Sequence, residues 1–305
     1  MALQIVEFFG LKPLDPAAKY NAAARHCPFV GADCIKPNHG SCAVRQIEDD
    51  PIICCPNRLY ADSYRVLKDV ADVLFGANSA LVAGNAIPAV AAAGKLTGNE
   101  VAVFGRYFGR EVPLPRPAKK NSLETSNYFV DWILARLDKT GALVEFTAIE
   151  VQTIDTTGSY KEQSDAFFAG TSFTDDRGRL PGFSSAGMNW ENVNKRILPQ
   201  LIYKGHVLRR EAKCSKGLFF ICPRQVLRRV RDRLGDNMHT YVPGNGTITF
   251  RAYELGPVKS PGQYRDIVFA DQFTTTIDQV ALAFTSPMNL PTMGVYESAI
   301  MQALK

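Results

Sequence analysis

The 305-residue sequence has no apolar run approaching the 18 or more residues of a membrane span. Its opening, MALQIVEFFG, lacks the basic start and long apolar middle of a secretory signal, so no membrane partner is expected and the cytoplasm is the expected compartment. Internal repeats and low-complexity tracts are absent, which argues against a solenoid or a disordered tail. Tightly spaced Cys-x-x-Cys pairs are missing as well, and the seven cysteines are an odd number, which argues against a pure disulfide framework. What is present suits a globular protein. A 46% hydrophobic composition supports a sizeable core, in one large domain or a core with a small appendage. The net charge of +5 fits a polyanionic partner.

The most informative stretch is YFVDWILARLDKTGALVEFTAIEVQTID, residues 128–155. It reads as two branched and aromatic strands joined by a turn at Asp138, Lys139, Thr140 and Gly141. A two- or four-residue loop there places Leu137 opposite Ala142 and Asp131 opposite Ala148. Side chains alternate with period two, so Asp131, Glu150 and Gln152 then share a face, with Asp131 diagonal to Glu150 at roughly 7–8 Å between Cα atoms. An odd-length loop would turn Asp131 to the other side. Two carboxylates aimed at one point need a compensating cation or a shared proton, and a divalent ion with oxygen ligands, such as Mg²⁺, meets that need. A solvated strand face is the other outcome this spacing allows. Ile149 and Val151 favour at least partial enclosure of Glu150.

Five of the seven cysteines lie between positions 27 and 55, in a Pro- and Gly-bearing segment with few residues for a core of its own. Such segments usually need a staple, and thiolates around a metal are the intracellular form. Cys27, Cys34, Cys42 and one of Cys54 and Cys55 make a four-ligand set; Cys55 is preferred because it precedes proline, as Cys27 does. All-sulfur coordination suits zinc or iron alike. A four-ligand site leaves no open position, so its role is structural. Reduced, buried cysteines are the alternative to a metal; within a site His26 or His39 could replace a thiolate, although a lone histidine beside such a cluster more often lies outside the ligand set or at the surface.

Elsewhere, helical spacing predicts a helix over 59–74, and the Ala- and Gly-rich run 77–98 reads as a connector or a loose helix interrupted at Pro88. VAVF at 101–104 predicts a short strand, residues 109–120 a surface loop, and GSYKEQSDAFFAG a turn that becomes helical near Tyr160, in which Lys161 reaches back toward the acids or is solvated. Between residues 195 and 233 stand twelve Lys/Arg against two acids. Two helices around a buried strand at GLFFI are predicted there. In the second helix Arg224, Arg228 and Arg231 share a face, a stripe suited to phosphates or to solvent. A hairpin around residues 244–246, another strand and a terminal helix complete the reading.

Taken together, these pieces resemble the restriction endonuclease NotI family. EFFG at 7–10, CPF at 27–29, a middle cysteine pair, CPNR at 55–58, GREVPLP around Glu111, the FVDW element at Asp131 and EVQTIDTTGSYK at 150–161 occur in the family's order. The likeness is strongest over the first half and reaches RILPQLIYK at 196–204. It implies an α/β fold with a PD-(D/E)XK core, a mixed sheet flanked by helices, and a small N-terminal four-cysteine subdomain. The division would fall at residues 1–58 and 59–305. It further implies that Cys27, Cys34, Cys42 and Cys55 bind iron beside a bystander Cys54. Asp131, Glu150 and the Val151 carbonyl would hold Mg²⁺, with Gln152 where many relatives have lysine and Glu111 a further acid. The expected activity is that of a homodimeric type II restriction endonuclease on a palindromic double-stranded DNA site. A nuclease of repair or recombination without fixed specificity, or a catalytically inactive metal-stapled DNA-binding protein, are the competing expectations.

Overall fold

The computed structural model describes residues 2–36, 40–47, 49–114, 128–174, 181–286 and 290–305. An N-terminal antiparallel sheet contains β1 (Leu3–Phe8), β2 (Ser41–Gln46) and β3 (Ile52–Ile53), with β2 central. The main sheet has seven strands among the described residues: β4 (Ala80–Ala83), β5 (Glu100–Gly105), β6 (Trp132–Leu137), β7 (Leu143–Val151), β8 (Leu218–Pro223), β9 (Thr247–Leu255) and β10 (Ile267–Thr276). They lie side by side in chain order. The pairs β4/β5, β7/β8 and β8/β9 are parallel and the rest antiparallel.

Among the described residues the α-helices are α1 (Pro16–Ala24), α2 (Ala61–Phe75), α3 (Ile87–Ala92), α4 (Lys161–Phe168), α5 (Leu198–Leu208), α6 (Arg224–Leu234), α7 (Ile277–Thr285) and α8 (Val295–Ala303). Period-two alternation sends successive residues of the central strands to opposite faces of the sheet. Ala148, Leu218, Phe220 and Phe250 pack with Leu201 of α5, Val226 of α6 and Ile277 of α7. Their chain neighbours Ile149, Phe219 and Ile221 pack with Val66 and Val70 of α2. The result is a mixed sheet covered by helices on both faces. No helix among the described residues is long and apolar enough to cross a membrane.

Three local expectations change. Ala80–Ala83 is a strand, and Pro88 lies in the first turn of α3, where its missing N–H costs nothing. Residues 244–246 lead into β9 instead of closing a hairpin; the hairpin is β9–β10, closed by residues 256–266. The helix expected over 59–74 is preceded by a 3₁₀ turn at Pro56–Tyr60, and Asp62, Ser63 and Tyr64 adopt left-handed backbone before regular helix resumes.

The motifs EFFG, CPF and CPNR meet in one place. Arg58 is fully buried, and its Nε and Nη2 donate to the Glu7 carboxylate at 2.7 and 3.1 Å. Nη2 also donates to the Arg265 carbonyl at 2.7 Å, and the guanidinium lies 4.7 Å from the Phe29 ring centroid. Gly10 is required beside this stack: at its φ of +83° a Cβ would lie 2.4 Å from Phe29 Cζ. Arginine cannot lose its charge inside the protein. Glu7→Ala should therefore cost about 3–5 kcal/mol in urea unfolding. The double change Glu7→Leu with Arg58→Met should cost clearly less; equal losses would contradict this account.

Candidate active site

The β6–β7 hairpin positions the two acids. Its register pairs Trp132 with Ile149 and Ile133 with Ala148, so the ladder continued by one residue sets Asp131 directly opposite Glu150. The expected diagonal relation, with Asp131 opposite Ala148, is replaced by a closer one. Near the turn Leu137 pairs with Leu143, one residue out from the expected partner, and a bulge between Arg136 and Leu137 adds a second offset at Arg136–Glu145. One offset alone would have moved Asp131 to the opposite face; two restore it.

Each acid is held by the backbone beside the other. The Val151 N–H donates to Asp131 Oδ2 at 2.7 Å, and the Asp131 N–H donates to the Glu150 carboxylate. Behind them Trp132 projects to the other face, where its Nε1 donates to the Tyr60 hydroxyl at 3.0 Å and its ring meets those of Tyr60 and Tyr64 edge-on. Its partner across the ladder is Gly105, where a Cβ would come within 2.1 Å of the indole. This brace fixes the residue next to Asp131.

Burial, and then the charge of Asp131, push the Glu150 carboxyl up to about 7. Asp131 is exposed along the cleft, yet crowding of its carboxylate by protein raises it too, with Glu111 adding in the same direction. The opposing positive charge comes from Lys204 of α5, whose Nζ lies 2.6 Å from Glu150 Oε1. Both side chains are mostly enclosed, at 14% and 13% exposure. Sequence reasoning missed this lysine. Its partner is 54 residues away, and on α5 it stands between the buried Leu201 and Gly205 with no local sign of its role.

A cleft of about 360 Å³ opens beside the acids, lined in part by Glu111, Asp131, Val151, Gln152 and Asp155. Lys36, Cys54, Asn57 and Arg106 also line it. The Cys54 carbonyl accepts from Lys36 Nζ at 2.7 Å and from Thr153 Oγ1 at 3.1 Å, which ties the cysteine segment to the end of β7. Gln152 donates its backbone N–H to the Ile221 carbonyl and its Nε2 to the Thr153 carbonyl.

The cysteine segment gathers its thiols into one neighbourhood. Burial, followed by the charge of Cys55, drives Cys42 well above the ordinary thiol value. Burial also lifts Cys55 to about 12, with Cys54 and Cys27 adding to the rise. Cys34 is raised by burial and by Cys27. All are free thiols. Among the described residues no three His, Cys, Asp or Glu side chains are grouped as a metal ion requires; His26 is exposed and His39 lies outside the described residues. The soft donor chemistry fits zinc or iron, but the side-chain arrangement is not a coordination set. Cys54 Sγ, meanwhile, is 3.2 Å from Ser41 Oγ.

The basic candidates lie elsewhere. Lys161 pairs with Asp165 one turn along α4, on an exposed face. Arg224 and Arg231 turn back to Glu254 and Asp271 of β9 and β10 at 3.0 and 2.7 Å, while Arg228 is exposed.

Residues 120–221 match the family model Restriction endonuclease NotI. That segment, about one third of the chain, contains Asp131, Glu150, Gln152 and Lys204; Glu111 and the five N-terminal cysteines fall outside it. No curated protein matches the chain. The match supports a relationship to that family of DNA-cleaving enzymes. The acid pair offers carboxylate oxygens, the ligand type a hard divalent cation takes, and the Lys204 ammonium stands against one of them.

The Glu150 value generates a pH prediction. Between about 4.5 and 7 the folded protein keeps a proton that the unfolded chain has released, so stability falls as pH rises through that window. In chelator, Glu150→Gln should flatten this part of the urea-midpoint profile. It should also gain on the order of 1–3 kcal/mol over wild type at pH 8; parallel profiles would contradict the assignment.

Proposed function

We propose that this protein is a type II restriction endonuclease: a homodimeric, cytoplasmic deoxyribonuclease that hydrolyses double-stranded DNA at a palindromic site with Mg²⁺. The observation that carries the reading is the pair Asp131 and Glu150, opposed across the hairpin and set beside a cleft, with Glu150 mostly enclosed, inside the segment that matches the NotI model. On this reading residues 59–305 form the PD-(D/E)XK core and residues 1–58 the metal-stapled appendage.

Asp131 and Glu150 would hold the cation, with the Val151 carbonyl as a third oxygen. A bound Mg²⁺ supplies a Lewis acid that lowers the pKa of a water and offsets charge on the phosphoryl oxygens. Gln152 neither takes up a proton near neutrality nor carries positive charge. Its part is to orient the attacking water by hydrogen bonds. Glu111, which also lines the cleft, strengthens the negative field that attracts a cation to Asp131. Arg228, with Arg224 and Arg231 once released from their acids, and Lys161 are the proposed phosphate contacts. Two active sites cut two strands, and a two-fold dimer supplies them.

Asp131→Ala and Glu150→Ala should abolish cleavage of plasmid DNA in Mg²⁺ while leaving gel-shift binding intact, and Gln152→Glu should impair it less. End sequencing should give discrete fragments with one terminal sequence. A wild-type rate for Asp131→Ala overturns the site, and a smear of ends overturns the specificity.

Cys27, Cys34, Cys42 and Cys55 are proposed to close around iron or zinc. Thiol titration of the purified protein should then find four slow cysteines that react together, with release of one metal equivalent, when a chelator is added. Independent reaction of all seven would remove the metal staple.

A further inference from the structure

We infer that Lys204 is a resident counter-ion of the acid pair. It holds the carboxylate oxygen that a divalent cation needs, and so sets the metal concentration at which the site loads. This rests on the reading that Asp131 and Glu150 bind a cation.

Four observations carry it. Lys204 Nζ is 2.6 Å from Glu150 Oε1, within direct ion-pair distance. Both partners are largely out of solvent, where a charge pair is screened weakly. Asp131 also feels the ammonium, so its removal would leave two opposed carboxylates with backbone N–H donors but no cationic partner from α5. The lysine comes from α5, a helix anchored by buried Leu198, Leu201, Gly205 and Leu208, so the ammonium is delivered by a rigid element. Gln152, beside Glu150 in sequence, is uncharged and supplies no such balance.

The chemistry is an exchange of cations on one oxygen, with no covalent step. In the unloaded protein the Lys204 ammonium keeps the two acids together. On loading, Lys204 gives up Glu150 Oε1, and the four-carbon stem lets the ammonium withdraw while the helix stays in place. Part of the binding free energy of the metal is therefore spent on breaking the ion pair. Lys204 is a positioning residue on this account, acting through Glu150.

The test is titration of the DNA-free protein with Mn²⁺, following bound ion by electron paramagnetic resonance. Wild type should bind an ion that Asp131→Ala or Glu150→Ala removes. Lys204→Met should bind the same ion at least several-fold more tightly, and Lys204→Arg should bind it about as wild type does. In chelator Lys204→Met should melt below wild type, and added Mn²⁺ should raise its melting temperature by more than it raises that of wild type. If Lys204→Met does not fold, Lys204→Gln takes its place with the same expectation. If wild type binds no ion dependent on Asp131 and Glu150, the metal reading itself fails. If it does bind one, and the neutral variants bind it equally or more weakly, the metal reading stands and the role of Lys204 is overturned.

Discussion

Two carboxylates forced against each other at the end of a hairpin are the constraint that the surrounding structure answers. Placing Asp131 opposite Glu150 costs electrostatic energy, and several groups offset it at once. The Val151 N–H bonds the Asp131 carboxylate, and the Asp131 N–H bonds that of Glu150. The ammonium of Lys204 completes the balance from the helix above. The apolar side of the same strands bears none of this charge; it is filled by Trp132, Tyr60 and Tyr64, which keep the hairpin's end in one position. Period-two alternation puts the neighbours Asp131 and Trp132 on opposite faces of the hairpin's end.

The N-terminal segment contributes a second wall. Its position rests on the buried Glu7–Arg58 pair and on the bond from Arg58 to the Arg265 carbonyl, which joins residue 58 to the β9–β10 connection. From that anchor the chain runs directly through Cys55 and Cys54, and the Cys54 carbonyl reaches Thr153 at the mouth of the cleft. The cysteine cluster and the acid pair are thus neighbours through a few bonds, although nearly a hundred residues separate them in sequence.

Much of this was legible in the sequence, for physical reasons. The β6–β7 hairpin showed itself through alternation and a turn rich in Asp and Gly, and GLFFI through an unbroken apolar run that became the buried β8. The face shared by the acids was foreseen, but their register was not. A bulge adds a residue without disturbing the apolar pattern, so counting from the turn misses it. Strand β4 was hidden because Ala80–Ala83 is short and sits in a run of alanine and glycine. The PGNG signal at residues 243–246 indicated a turn but not which strands it served. Lys204 was out of reach because a helix carries one lysine much as another, and only the packing of α5 on the sheet gives it a partner. The motifs EFFG, CPF and CPNR were visible only as pieces in the order of a family, and their meeting in space was not. Glu7, Phe29 and Arg58 are the residues that assemble one buried stack.

The aromatic brace has a practical consequence. The chain has two tryptophans. Trp132 is sealed from solvent, bonded to Tyr60 and adjacent to Asp131, whereas Trp190 lies half-buried beneath the Arg229 guanidinium at 4.9 Å. Their fluorescence should therefore differ in emission maximum and in quenching by solutes, with the bluer, better shielded component coming from Trp132. The molecule has, in effect, an optical gauge built one residue away from its proposed chemistry.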